Sequence, residues 1–179
     1  MNHIKYFTIH ASATYPAMDI DIEWIRDVHV NQKGWRDVGY HYFIKRDGTV
    51  QKGRPDNVQG AHVGRHNKNN IGICLAGGLK TGTKEPEDNF TAAQYIALTN
   101  LITKLKETHP DAHIMGHNGF SGYLSRGCPC FDWRAYRDYI ELSLACEYRP
   151  DWWRTHDWKR GVPEDWLKPQ NWYEAVLKQ

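Results

Sequence analysis

The sequence predicts an α/β domain with a single mixed central β-sheet flanked by helices, followed by a Trp-rich C-terminal extension. Three observations lead there. Short runs rich in β-branched and aromatic residues alternate with segments whose apolar residues recur at helical spacing. Two of those short runs lead directly into a histidine, His10 and His117. Beyond Pro150 the chain changes character: Trp152, Trp153, Trp158, Trp166 and Trp172 crowd a stretch in which Pro163 and Pro169 break any long helix. The chain therefore divides into a main domain, residues 1–148, and an extension, residues 149–179.

Taken in order, residues 4–9 read as a buried strand that ends at His10. Asp19 is placed to cap a helix from Ile20 to about Val30, with Ile20, Trp24, Ile25 and Val28 as its apolar stripe and Arg26 and His29 on its polar face. A turn at residues 34–37 leads to a strand over 38–44, which puts Tyr40, Tyr42 and Ile44 on one face and His41 and Phe43 on the other. Asp47-Gly48 favours a tight turn with positive φ that doubles the strand back through Val50.

Residues 51–70 lack periodicity and read as a loop carrying His62, His66 and Asn67, and loops on a rigid sheet are where binding residues concentrate. Residues 71–76 form a buried strand with Cys74 in the core, and 77–89 an exposed loop. Thr91 and Gln94 make a capping-box pattern for a helix to about Thr108, with Tyr95, Leu98, Ile102 and Leu105 inward. Pro110 closes it, residues 113–115 are a strand, and Asp132 caps a last helix to about Tyr148 with Trp133, Tyr136, Ile140 and Leu144 as its stripe.

Composition excludes several classes. The 179 residues are 40% hydrophobic and 25% charged, with no apolar run near the roughly 20 residues that span a bilayer, so no membrane insertion is expected. The N-terminus has no basic region followed by an apolar stretch, so no secretory signal is expected and the chain is expected to be made in a cytoplasm. Cys74, Cys128, Cys130 and Cys146 do not form a disulfide-framework pattern. A net charge of +2, and five acidic and five basic residues beyond Pro150, give no electrostatic case for nucleic acid.

The chemistry concentrates in residues 116–132, a loop that leaves a strand at His117 and returns through Cys128 before the last helix. Imidazole and thiolate both suit zinc, but two ligands are too few. His10, at the end of the first strand, is the best third. If the two strands are neighbours, two histidines and one cysteine meet at the sheet edge and leave a fourth position for water, the arrangement of a hydrolytic zinc site.

Five ordered blocks then resemble one family. They are Phe7-Thr8-Ile9-His10-Ala11-Ser12-Ala13-Thr14; the stretch from Gly34-Trp35-Arg36-Asp37 to Asp47-Gly48-Thr49-Val50; Gly60-Ala61-His62; Asn70 through Gly78; and Gly116-His117 with Cys128-Pro129. Over roughly residues 4–147 the chain is similar to the type 2 N-acetylmuramoyl-L-alanine amidases, which include peptidoglycan recognition proteins and the small amidase lysozymes of T-odd coliphages. The resemblance implies the type 2 amidase fold for residues 1–148 and a Zn2+ enzyme that cuts the amide between N-acetylmuramic acid and L-alanine in peptidoglycan.

The same resemblance implies His10, His117 and Cys128 as metal ligands and Tyr40 as the catalytic tyrosine. Cys130 is the rival thiol, but the family's ligand precedes proline. Arg126 falls where the phage enzymes carry a catalytic lysine; a guanidinium with pKa above about 12 holds its proton, so Arg126 is expected to act by charge alone. His62 and Asn67 are expected at the substrate. The implied setting is a phage endolysin made in the host cytoplasm, given access to the cell wall and periplasm by a holin. The alternative is a protein that binds peptidoglycan, or binds and inhibits phage RNA polymerase, with weak or no turnover.

Overall fold

The computed structural model describes residues 3–145. The extension at 149–179, Cys146 and the end of the last helix expected near Tyr148 lie outside the described residues. The elements are β1 (Tyr6–Ala11), α1 (Ile22–Asp27), β2 (Tyr42–Ile44), β3 (Val50–Lys52), β4 (Asn70–Leu75), α2 (Ala92–Thr108), β5 (His113–Gly116) and α3 (Trp133–Ala145). They build one mixed sheet in the order β3-β2-β4-β1-β5, in which only the β2–β3 hairpin is antiparallel. This is the expected sheet, with β1 beside β5 and β5 at the edge.

Residues in register on parallel strands share a face. His10 pairs with Cys74, Thr8 with Gly72, and Phe43 with Cys74, so all five lie on one face. Over it, Ile22 and Ile25 of α1 pack with Ile20, Val38, Phe43, Cys74 and Ala76. The opposite face carries Phe7, Ile9, Ile71, Ile73 and Leu75, all fully buried. His109, just past α2, has its ring 6.4 Å from that of Phe7. Both faces of the central strands are thus dry, as near-continuous apolar runs in parallel sheets require.

The start of α2 is fixed as the sequence predicts. Thr91 and Gln94 form a reciprocal capping box. The Gln94 side chain is fully buried, and its Nε2 also donates to the carbonyls of Ile44 at 3.2 Å and Ala76 at 2.9 Å, which ties α2 to the ends of β2 and β4. Gly48, with φ +86°, makes the β2–β3 turn, where the Lys45 N–H bonds the Thr49 carbonyl at 2.9 Å. A second compact unit begins at Arg134, one residue into α3. Within it the Ser143 hydroxyl returns a hydrogen bond to the Tyr139 carbonyl at 2.8 Å.

Several elements differ from the sequence expectation. β1 runs on through His10 to Ala11, because the Ser12 N–H still bonds the Leu75 carbonyl at 2.9 Å. The cap of α1 is Asp21, whose carboxylate accepts from the Trp24 N–H at 2.8 Å, while Asp19 pairs with Lys45 at 3.4 Å. A turn of π-helix, Val28–Gln32, follows α1. Buried residues of this segment are Ile22, Ile25 and His29, whereas Trp24 is 40% exposed. β2 begins only at Tyr42, since Gly39 bonds His29 instead of a strand and its Cα lies against the Ala61 carbonyl. The two-residue alternation therefore does not reach Tyr40, which packs on the same cluster as Phe43.

Candidate active site

Adjacent parallel strands place two histidines together. His10 is near the end of β1 and His117 directly follows β5, and their rings lie 4.6 Å apart. Trp133 secures the turn after β5: its indole fills the space left by Gly116 and Gly119, and its Nε1 donates to Asn118 Oδ1 at 2.7 Å. The loop then folds back as expected. The Asn118 N–H donates to the Cys128 carbonyl at 3.0 Å and its Nδ2 to the Arg126 carbonyl at 3.1 Å.

That return carries Cys128 to β1, where its Sγ accepts the Ala11 N–H at 3.3 Å and stands 3.9 Å from His10 Nδ1. One donor atom from each of His10, His117 and Cys128 lies within 4.8 Å of the others. Cys130 goes elsewhere: its sulfur lies close to the Cα of Gly78 and accepts from the Glu87 backbone. Cys74, Cys128 and Cys130 are all free thiols.

The donor set fits a zinc ion. Among the described residues, His117 Nε2 is the one buried side-chain nitrogen or oxygen without a hydrogen-bond partner. Native interiors rarely tolerate such an orphan, and it sits in a group of two imidazoles and a thiol. Burial holds His10 well below the ordinary histidine value, helped by His62 and His117. Burial, with Arg126 nearby, pushes His117 down to about 4, so both rings are neutral and have a lone pair to offer. Burial pushes the Cys128 thiol up to about 12, with the Ala11 N–H and Arg126 pulling the other way. A buried thiol of this kind needs a metal cation to become the thiolate that ligates.

Tyr40 stands over the same face, its ring 5.2 Å from His10. Burial, then Cys74 and Cys128, raise its hydroxyl well above the usual tyrosine range, so it is a hydrogen-bond donor at neutral pH. Arg126 is exposed, with its guanidinium 5.6 Å from the centre of the Tyr123 ring, and Tyr123 in turn lies 4.5 Å from His117.

His62 and Asn67, which the sequence reading placed at the substrate, make hydrogen bonds within the protein. His62 Nδ1 lies 3.0 Å from His10 Nε2, and its Nε2 lies 3.2 Å from the Asn70 carbonyl. Asn67 Oδ1 accepts the N–H groups of His62 and Val63, both at 2.8 Å. Burial pushes His62 down to about 3. Sequence reasoning passed over Tyr123, Asn70 and Gly72. Only Gly72 carried a signal, since glycine inside a strand marks a close approach by another group.

The comparisons agree with this geometry. Residues 1–131 match the family model described as N-acetylmuramoyl-L-alanine amidase. The endolysin of Enterobacteria phage K11 is 43% identical over 139 residues, covering 78% of this chain and 89% of that protein. Among solved structures, the Ph2119 endolysin from Thermus scotoductus MAT2119 bacteriophage Ph2119 superposes with a TM-score of 0.60 at 29% identity, covering 72% of this chain and 79% of that one. Wild-type Drosophila PGRP-LB superposes with a TM-score of 0.59 at 25% identity, covering 83% and 85%. The paired histidines, one in β1 and one just after β5, the returning cysteine and a match spanning most of the chain place it in the N-acetylmuramoyl-L-alanine amidase family.

Proposed function

We propose that this amidase is a zinc-dependent phage endolysin, with His10, His117 and Cys128 as its metal ligands and peptidoglycan as its substrate. The observation that carries the metal reading is the orphaned His117 Nε2 within a buried His-His-Cys cluster. The bond cut is the amide between the lactyl group of N-acetylmuramic acid and L-alanine. Zinc held there supplies Lewis acidity toward water and toward the scissile carbonyl.

The chain's own residues do the rest. His10 and His117 are kept neutral by burial, and the Ala11 N–H supports the Cys128 sulfur. Tyr40, protonated and hydrogen-bonded to Cys74, is assigned as the catalytic tyrosine that helps position the attacking water or stabilise the transition state. Arg126 brings a permanent positive charge to the oxyanion that develops, without moving a proton. The catalytic domain is assigned to residues 1–148. The enzyme is made in the host cytoplasm, and a separate holin opens its way to the wall.

Metal analysis of the purified chain with a Cys128→Ala control tests this reading. About one zinc per chain is expected in the wild type, with both metal and amidase activity lost in the variant. Full activity in the zinc-free variant would overturn it. The alternative, a peptidoglycan- or polymerase-binding protein without turnover, predicts zinc uptake but no new amino termini.

A further inference from the structure

We infer that His62 is a positioning residue: through a chain of hydrogen bonds that starts at the Asn70 carbonyl, it sets the tautomer of His10 and so makes Nδ1 the ligating atom. The inference rests on the zinc reading above.

The chain begins at an atom that can only accept. The Asn70 carbonyl lies 3.2 Å from His62 Nε2, so that nitrogen carries the hydrogen. In a neutral imidazole the other nitrogen then holds the lone pair, and His62 Nδ1 accepts from His10 Nε2 at 3.0 Å. His10 thus carries its hydrogen on Nε2. Its Nδ1, 3.9 Å from Cys128 Sγ, is left with the lone pair a metal needs. A single backbone oxygen on β4 thereby selects the ligand atom on β1.

The seat of His62 is built for this. Gly72 is the neighbour of Thr8 in register, and a Cβ there would come within 2.6 Å of the His62 ring. The ring therefore lies on β4 where any other residue would project. Asn67 fixes the backbone of His62 and Val63 from the far side of the turn. Asn70 closes the loop: its Nδ2 donates to the His66 carbonyl at 2.9 Å, and its Oδ1 accepts from Thr8 Oγ1 at 2.7 Å. Both ring nitrogens of His62 are thus engaged, one toward a ligand and one toward the backbone. Outer partners of ligating histidines typically change metal affinity by about 10–100-fold.

The test uses the full-length chain, with zinc affinity measured by competition against a chromophoric chelator and ring nitrogen NMR on the metal-free protein at neutral pH. In the wild type the His10 hydrogen should reside on Nε2. His62→Ala should release that preference and weaken zinc binding about 10–100-fold. His62→Asn, whose amide oxygen can accept near the Nδ1 position, should recover most of the affinity. Unchanged affinity together with an unchanged His10 tautomer in His62→Ala would overturn the inference. Should that variant not fold, the wild-type spectrum decides alone, because a hydrogen on His10 Nδ1 overturns it. Failure of the wild type to bind zinc would instead sink the metal reading and leave the tautomer result standing.

Discussion

Acid should weaken this fold through His29, and the size of the effect follows from its surroundings. The side chain is buried, its Nδ1 accepts the Gly39 N–H at 3.0 Å, and its ring lies 4.5 Å from Trp35 and 5.5 Å from Tyr40. Burial, then the positive charges of Lys33 and Arg54, lower its pKa from 6.5 to about 4. The folded state therefore favours neutral His29, and the unfolded chain binds the extra proton between those values. The stabilisation is complete above pH 6.5 and is lost as pH falls through the window down to about 4. A shift of that size is worth about 3 kcal/mol. His29→Asn removes the titration while an amide oxygen can still accept from Gly39. Urea unfolding followed by Trp fluorescence should show wild-type stability falling more steeply than the variant's over this window, with the difference closing by about 3 kcal/mol. Parallel pH profiles would refute the reasoning. His41, His62 and His117 are also held low, so the variant keeps a shallower acid limb of its own.

Thr91→Ala removes the hydroxyl that accepts the Gln94 N–H at 3.1 Å and donates to the Arg46 carbonyl at 2.7 Å, so it should cost about 1 kcal/mol in urea unfolding and leave activity per folded molecule intact. Tyr40→Phe should lower kcat by about 10²-fold while zinc content is retained; an unchanged kcat would remove Tyr40 from the chemistry. Arg126→Ala should lower kcat without loss of zinc and Arg126→Lys should restore part of it, whereas equal rates for the two variants would argue against a charge role.

Much of the site was legible because its ligands sit where strands and a loop end. His10 and His117 each follow a short apolar run, and once β1 and β5 pair as parallel neighbours the two rings must meet. The return of Cys128 depends on Asn118, which nothing in the sequence singled out. Periodicity failed where the backbone left its regular path. A turn of π-helix after Asp27 accompanies a buried side that includes His29, which a 3.6-residue period starting from Ile20 put on the polar face. The bond from Gly39 to His29 delays β2, so Tyr40 joins the cluster of Phe43. The seat of His62 was hidden for another reason: it depends on a contact across 52 residues of sequence and on Gly72 leaving its place open.

Whether this chain is a zinc amidase of the wall comes down to the products it makes from purified peptidoglycan. Mass analysis should show stem peptides with free L-alanine amino termini beside glycan strands carrying intact N-acetylmuramic acid. Both should vanish on chelation and return with added zinc. Cleavage of glycosidic bonds or of bonds within the stem peptide, or no cleavage by the zinc-loaded chain, would contradict the assignment.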